Sequence, residues 1–298
     1  MRYFVAADED RRLDPVSRQS LRGSFIELSD GVTHYELAGP EDGDVVLLAG
    51  SLTVPLFYWD RLAAELQARG LRTLACSAYG RGYSDRVRAT YDETLFVRQL
   101  FELKDRLGIR QPVHLVGTSI GGLVAMRYAA RYRESLMTLT IAGPAGLIPK
   151  KVPTHRLFTS DLLTGVIARR FGRRLLEGHL GHNVRDPQRQ AELTAMVLDA
   201  YRYEGSLYAF FDTLQHVPLS GRAELFGRAG ELGIPTLLLW GADDNVTPID
   251  QLDTARALLK PQQCHVIDCG HMAPYERPRE VAEHIASFTA AHAKRQDS

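Results

Sequence analysis

The chain has 298 residues, of which 45% are hydrophobic and 24% are charged, as in ordinary soluble globular proteins. Its 36 Lys and Arg residues balance 36 Asp and Glu residues, so no overall electric field attracts nucleic acid or an anionic membrane surface. This balance argues against a nucleic-acid partner and favours a small, uncharged, apolar molecule as the substrate.

The N-terminus carries acidic side chains at positions 8–10, where a secretory signal would need an apolar stretch. Nowhere do eighteen apolar residues run without a charge, so we expect no membrane span. The three cysteines, Cys76, Cys264 and Cys269, lack the spacing of a disulfide framework or a metal site. We therefore expect reduced thiols, a cytoplasmic location and no bound metal.

In chain order, residues 1–23 are charged and lack periodicity, and we interpret them as an N-terminal arm or a helix that precedes the core. Two antiparallel strands are predicted at 25–28 and 32–37, joined by a tight turn at Asp30 and Gly31. The apolar run at 45–48 is typical of a strand buried on both faces of a parallel sheet.

Strand-like and helical patterns alternate in the remainder of the core. Further strands are predicted at 71–76, 113–116, 136–141, 236–240 and 265–267, and helices at 62–68, 95–107, 123–132 and 281–291. This alternation predicts an α/β fold with a doubly wound, mostly parallel sheet of eight strands. Residues 24–145 and 234–298 would form this core.

The alternation stops between residues 146 and 233, where helical patterns cover 157–171 and 191–211 and no strand is predicted. A structureless loop of this length is improbable in a compact domain, so we expect a helical insertion. Because it joins two core strands, it should lie at their carboxyl ends, where ligands bind in open α/β sheets. We interpret residues 146–233 as a cap, or lid, over the functional site.

The first chemical motif is Gly-x-Ser-x-Gly at 117–121, with an apolar strand before it and a helical pattern after it. Small flanking residues are needed because the serine sits on a sharp turn, where larger side chains would collide with the strand and the helix. Ser119 is therefore a candidate nucleophile. The Ile120 amide, at the helix N-terminus, is a candidate oxyanion donor. A glycine-rich turn with an N-capping serine would explain the same residues.

A nucleophilic serine needs a base, and the base needs a carboxylate. His271 is the best-placed histidine, because its loop follows the last predicted strand and should lie at the same sheet edge as Ser119. The segment at 240–248 supplies Asp243 and Asp244 after the preceding strand. The local pattern alone does not decide which of the two aspartates is the partner of the histidine.

These motifs resemble those of the α/β-hydrolase superfamily, in its capped esterase, lipase and C–C hydrolase branch, over residues 25–292. Segment 241–248 matches the family's G-x-x-D followed by a proline turn, segment 269–271 matches its Gly-His motif, and Pro278 matches a proline that opens the last helix. Segment 79–86 resembles its G-x-G-x-S-D segment. The resemblance implies a catalytic triad of Ser119, Asp244 and His271.

Two positions depart from the family pattern. Ala49 stands where the family commonly has a histidine before the glycine that follows the third strand. The resemblance implies that the Ser51 amide is the second oxyanion donor, with Leu52 as the alternative. Ser77 stands where an aspartate is frequent, which bears on loop rigidity more than on catalysis.

The implied chemistry is acyl transfer through an acyl-enzyme, with no metal or organic cofactor. We expect hydrolysis of a carboxylic ester of a small to medium apolar substrate. Alternatives on the same fold are a C–C bond hydrolase of a ring-cleavage diketone, a cofactor-free perhydrolase and a non-catalytic ligand receptor. Serine at position 119 argues against dehalogenase and epoxide hydrolase chemistry, where the resemblance would require a carboxylate.

Aromatic residues cluster in the insertion. We predict that Tyr201, Phe210 and Phe211, together with Met272 beside the base, line an apolar substrate pocket. Packing of the cap on the core explains these residues equally well. The sequence is also compatible with a homodimer.

Overall fold

The computed structural model of the protein describes residues 1–148, 160–181 and 184–293. Its strands are β1 (Ser24–Glu27), β2 (Val32–Ala38), β3 (Val45–Ala49), β4 (Arg72–Cys76), β5 (Val113–Thr118), β6 (Leu136–Ala142), β7 (Thr236–Gly241) and β8 (Gln263–Ile267). These strands form one sheet in the order β1-β2-β4-β3-β5-β6-β7-β8.

Strand pairing is antiparallel only at one edge of the sheet. Strand β1 pairs antiparallel with β2, and β2 pairs antiparallel with β4, whereas every other neighbouring pair is parallel. The β1–β2 hairpin closes with a hydrogen bond from Leu28 N to Gly31 O of 3.0 Å. The predicted α/β fold with an eight-stranded, mostly parallel sheet is confirmed.

Helices connect the parallel strands. Within the described residues they are α1 (Asp60–Gln67), α2 (Glu93–Arg106), α3 (Ile120–Arg131), α4 (Asp161–Leu180), α5 (Pro187–Ala200), α6 (Ser206–His216), α7 (Ala223–Glu231), α8 (Leu252–Leu259), α9 (Ala273–Glu276) and α10 (Pro278–His292). Short 3-10 helices occur at Ser17–Ser20, Leu56–Trp59, Arg133–Ser135 and Ile249–Gln251. None of the described helices is long and apolar enough to span a bilayer.

The helices pack in two groups that flank the sheet. Helices α1 and α10 contact each other, while α2, α3, α7 and α8 form a continuous second group. Every residue of β5 and β7 is buried between the groups, as expected for central parallel strands covered on both faces. The core therefore holds the carboxyl end of β5 rigidly.

The segment between β6 and β7 contains helices α4 to α7 in the described residues. The helical pattern predicted at 191–211 is wrong as one element, because the chain turns between α5 and α6. Gly205 precedes α6 with φ of 86°, a left-handed conformation that favours glycine and interrupts a helix. The first residues of the pattern at 157–171 lie outside the described residues, and the remainder belongs to α4.

The N-terminal residues pack on this helical segment. The Glu9 carboxylate accepts hydrogen bonds from Gly205 N at 2.9 Å and Leu207 N at 2.6 Å, at the start of α6. Phe4 is buried and its ring meets that of Tyr208 edge to face. The arm thus supplies acceptors for the amides that open α6, which an N-terminal helix turn cannot satisfy internally.

Candidate active site

Ser119 lies at the turn between β5 and α3, at the carboxyl end of a central strand. Its backbone has φ of 55° and ψ of −121°, an unusual conformation for a residue with a side chain. The turn is secured by a hydrogen bond from Ser119 N to Ala142 O of 3.1 Å, and Ser119 O accepts from Gly122 N at 3.0 Å. Ser119 is 6% exposed, so its hydroxyl has little contact with solvent.

The glycines around Ser119 are required by space. A Cβ atom at Gly117 would lie 2.4 Å from Gly121 O, and one at Gly121 would lie 2.2 Å from Ala49 O. Both distances are far below van der Waals contact. The glycines therefore allow β3, β5 and α3 to converge, which explains why the sequence pattern surrounds the serine with glycine.

His271 and Asp244 are joined by a hydrogen bond between His271 Nδ1 and Asp244 Oδ2 of 2.8 Å. Both side chains are almost completely buried. The other carboxylate oxygen, Oδ1, accepts from Val246 N at 2.9 Å and Thr247 N at 2.7 Å. Because backbone amides fix the carboxylate and the carboxylate accepts from Nδ1–H, the imidazole is held with Nε2 as its unprotonated nitrogen.

The structure distinguishes the two adjacent aspartates. Asp243 is about half exposed and forms an ion pair with Arg185 at 2.6 Å. Asp244, which the family resemblance favoured, is the aspartate that reaches the imidazole.

Ser119 and the Asp244–His271 pair lie against the same loop, the one that follows β6. Ala142 O accepts from Ser119 N, and the next residue, Gly143, lies beside the pair: a Cβ there would be 3.1 Å from Asp244 Oδ2 and 3.5 Å from His271 Nδ1. No hydrogen bond joins Ser119 Oγ to His271 in the described residues. His271 Nε2 is buried and has no hydrogen-bond partner there. The imidazole is thus oriented by the aspartate, with its basic nitrogen unoccupied.

The loop that carries His271 is held by a glutamate that the sequence analysis missed. Glu276 is buried, and its Oε1 accepts from Gly270 N at 2.6 Å while its Oε2 accepts from Arg185 N at 2.9 Å. This carboxylate links the histidine loop to the residues that precede α5. No spacing rule in the sequence singles out Glu276, because the contact depends on a residue 91 positions away.

The predicted oxyanion donors come from two neighbouring segments. Ile120 opens α3, so its amide lies at the positive end of the helix dipole. Ser51 and Leu52 follow β3 and are buried. Among the described residues, the amides of Ile120, Ser51 and Leu52 have no hydrogen-bond acceptor. These three N–H groups are therefore available to an oxygen atom of a ligand.

Ser77, one of the two departures from the family pattern, supports the loop after β3. Its buried hydroxyl accepts from Leu56 N at 3.0 Å and contacts His34 Nδ1 at 3.1 Å. A Cβ atom at Gly82 would lie 2.2 Å from Ser77 Oγ, so the space around the hydroxyl is small. A serine thus provides the acceptor in this packing where an aspartate is frequent.

A narrow cavity lies against the loop of Ser51 and Leu52 after β3, which we call the oxyanion segment for its predicted role. It has about 420 Å³ of atom-free space, part of it open to solvent, and Ser51, Leu52 and Ile120 contribute to its wall. The remaining wall is largely apolar, for example Phe96 and Val124. This largely apolar wall therefore adjoins the loop of Ser51 and Leu52 and the start of α3.

The predicted pocket residues lie elsewhere. Tyr201, Phe210, Phe211 and Met272 are buried, and none of them belongs to the wall of this cavity. Phe210 contacts Tyr201 and Phe211 through edge-to-face ring pairs with centroid distances of 6.2 and 5.1 Å. Their role in binding stays a prediction. Sequence reasoning missed most of the cavity wall, including the charged residue Arg81, whose only signal was its place inside the segment at 79–86.

The thiols do not compete with Ser119 as nucleophiles. Burial raises the pKa of Cys76 and of Cys269 to about 12, so both stay protonated at neutral pH. Within the described residues there is also no group of three or more His, Cys, Asp or Glu side chains that could hold a metal ion.

Comparison with known proteins shows the family to which the chain belongs. A family model described as alpha/beta hydrolase fold matches residues 45–278. The chain is 28% identical over 263 residues to 2-hydroxy-6-oxo-6-phenylhexa-2,4-dienoate hydrolase of Comamonas testosteroni, covering 85% of this chain and 90% of that protein. It is 27% identical over 234 residues to a monoacylglycerol lipase of Mus musculus, covering 70% and 66%. Among solved structures, a thermophilic esterase from Thermogutta terrifontis has a TM-score of 0.77 at 21% identity, covering 92% of this chain and 100% of that one.

Proposed function

Because the chain belongs to the α/β-hydrolase family and is a hydrolase, we propose that it cleaves a carboxylic ester of a small to medium apolar substrate through an acyl-enzyme. The observation that carries this proposal is the imidazole of His271, fixed by Asp244 at 2.8 Å with Nε2 unpartnered among the described residues. Such a nitrogen can act as a general base toward a nearby proton donor. Ser119 supplies that donor from its strained turn.

The proposed reaction proceeds in two steps. Nε2 of His271 takes the proton of Ser119 as Oγ attacks the ester carbonyl, and then delivers it to the leaving alcohol. Water, activated by the same nitrogen, attacks the acyl-enzyme and releases the acid. The amides of Ile120 and Ser51 stabilise the negatively charged oxygen in both steps, at about 3 kcal/mol per donor.

The ester proposal is tested with p-nitrophenyl esters and a fluorophosphonate probe. We expect covalent labelling of Ser119 in the folded protein, and a loss of at least about a thousandfold in turnover for both Ser119→Ala and His271→Ala. Activity that survives both substitutions would overturn the assignment of these residues. A folded protein that the probe does not label would favour a ligand receptor.

A second candidate, C–C bond hydrolysis, is favoured by one observation. The relative from Comamonas testosteroni, which covers 85% of this chain, is named for hydrolysis of a dienoate. The same serine, base and oxyanion donors would serve that reaction. A dienoate ring-cleavage product therefore belongs in the substrate panel, and cleavage of this compound alone would replace the ester proposal.

A further inference from the structure

The cavity beside the oxyanion segment contains a buried cation. The Arg81 side chain is 1% exposed and forms part of the cavity wall. Its Nε donates to Leu52 O at 2.7 Å, Nη1 donates to Tyr79 O at 3.0 Å, and Nη2 donates to Thr213 Oγ1 at 2.8 Å. All three acceptors are uncharged.

This guanidinium forms no ion pair in the described part of the chain. The nearby Asp212 acts on it through its charge but lies outside ion-pair distance, and is bonded to Tyr91 N at 2.9 Å and paired with His216 at 3.1 Å and with the N-terminal amine at 3.7 Å. The three hydrogen bonds use three of the five N–H donors of the guanidinium. Because burying a charge without an ion-pair partner is costly, an anion that reached this group would be bound favourably.

Two tyrosine hydroxyls near Arg81 are also unpartnered. Tyr91 OH and Tyr201 OH are buried without a hydrogen-bond partner among the described residues. The centre of the Tyr91 ring lies 5.9 Å from the guanidinium carbon. Burial raises the pKa of Tyr201 to about 12, and the charge of Arg81 opposes this rise, so the two groups interact. Arg81 therefore lies near two hydroxyls that could also donate to an anion.

From this arrangement, and resting on the proposed ester hydrolysis, we propose that the natural substrate is not wholly apolar: its acyl part carries a carboxylate that binds Arg81 in the cavity beside the amides of Ser51 and Ile120. The ester carbonyl oxygen would bind Ile120 and Ser51, and the acyl chain would extend along the apolar wall to the guanidinium. Hydrolysis then breaks the acyl–oxygen bond of a monoester, with water supplying the hydroxyl group of the new carboxyl. The products are a dicarboxylic acid and an alcohol.

Paired substrates test the proposal directly. The monoethyl esters of succinate, glutarate and adipate are compared with their diethyl esters at low ionic strength, and ethanol release gives kcat/KM. The anion-binding site predicts that, for at least one chain length, the monoester exceeds the diester by roughly tenfold to a hundredfold, as a charge-assisted hydrogen bond provides. A ratio of one or below at every length overturns the proposal.

Substitutions identify the residue responsible. Arg81→Met should abolish the preference, whereas Arg81→Lys, which keeps the charge, should retain part of it; equal ratios in both variants would refute recognition of the charge. Arg86→Met is the matched control, because Arg86 is also bonded only to uncharged acceptors, such as Ser206 Oγ and Gly82 O, and is not part of the cavity wall. This control should keep the ratio of the unaltered protein.

Failure of the anion site and failure of the proposed function give different experimental results. If Arg81→Met slows monoester and diester equally, Arg81 serves only to connect the oxyanion segment with α6, and anion recognition is refuted. If the protein hydrolyses neither ester and Ser119 is not labelled by fluorophosphonate, the proposed function fails. The anion site is then still tested by thermal stabilisation with glutarate, which should occur in the unaltered protein and disappear in Arg81→Met. Equal stabilisation of both proteins overturns the site.

Discussion

Replacing Asp244 by asparagine should move the proton of the His271 imidazole from Nδ1 to Nε2. Oδ1 of Asp244 accepts from two backbone amides, at 2.9 and 2.7 Å, whereas Oδ2 faces His271 Nδ1 at 2.8 Å. An asparagine will keep its carbonyl oxygen at the Oδ1 position, because the opposite orientation would place its NH2 group against two N–H donors. The NH2 group then faces Nδ1, which must accept, and the proton of the imidazole moves to Nε2.

An imidazole protonated at Nε2 cannot take the proton of Ser119. We expect kcat/KM for p-nitrophenyl butyrate to fall by about 10³ to 10⁴, as loss of the correct tautomer does in other triads, which corresponds to about 4 to 5.5 kcal/mol of transition-state stabilisation. The fold should persist, since the volume of the side chain is unchanged. Unfolding by urea and fluorophosphonate labelling rates measure the two effects separately.

Asp243→Asn is the matched control for Asp244→Asn. Asp243 is the adjacent residue, but it is exposed and pairs with Arg185, and a surface ion pair contributes at most about 1 kcal/mol. We expect kcat/KM to change by less than about threefold. If Asp244→Asn kept more than a tenth of the activity, or if the two variants lost activity equally, the orienting role of Asp244 would be refuted.

Gly121→Ala should destabilise the protein by at least about 2 kcal/mol and lower kcat at least about tenfold, because the new Cβ would lie 2.2 Å from Ala49 O beside the oxyanion segment. Its control is Gly178→Ala in α4, where the new Cβ would meet no packed atom within 4 Å. Helix propensity predicts that this control gains up to about 1 kcal/mol in the free energy of unfolding. The argument would be contradicted if urea unfolding and ester turnover gave the same result for both variants. Burial lowers the pKa of His34 to about 4 from its ordinary 6.5, so the unfolded chain binds this proton more tightly and the free energy of unfolding should be fully retained above pH 6.5 and fall by up to about 3 kcal/mol as the pH drops to 4. Comparing the pH slope of the unaltered protein with that of His34→Gln isolates this contribution, and identical slopes would show that His34 does not titrate in this range.

The parts of the site that sequence reasoning placed are those in which local chain geometry and chemistry coincide. The turn at Ser119 needs an apolar strand, a helix and small residues within ten positions, so the pattern is visible in one segment. His271 and Asp244 could be named because each follows a core strand and parallel strands end at one edge. The choice of Asp244 over Asp243 depended on the family resemblance, since both residues occupy the same turn.

The helix bounds in the segment between β6 and β7 were predicted less well, because only a short turn separates α5 from α6. Apolar periodicity continues from α5 into α6, so the pattern alone suggested one helix at 191–211. Gly205 was the one residue in this stretch that could have indicated a break. Its effect is clear only from the structure, where its amide donates to Glu9, 196 residues away in sequence. A turn stabilised by such a distant acceptor has no complete local signature.

The burial of Arg81 could not be predicted from the sequence for the same reason. In the sequence it is one basic residue between two glycines, in a segment that reads as a loop. Its burial arises because the oxyanion segment supplies an acceptor 29 residues before it and α6 supplies another 132 residues after it. Since the same guanidinium contacts the loop after β3 and the helical insertion, movement of the insertion would alter the position of the oxyanion donors. If a substrate carboxylate binds Arg81 as proposed, its charge and the geometry of the reacting carbonyl would be coupled through one side chain. Variants of Arg81 that change charge and hydrogen bonding separately, such as Arg81→Lys and Arg81→Met, would resolve the two effects.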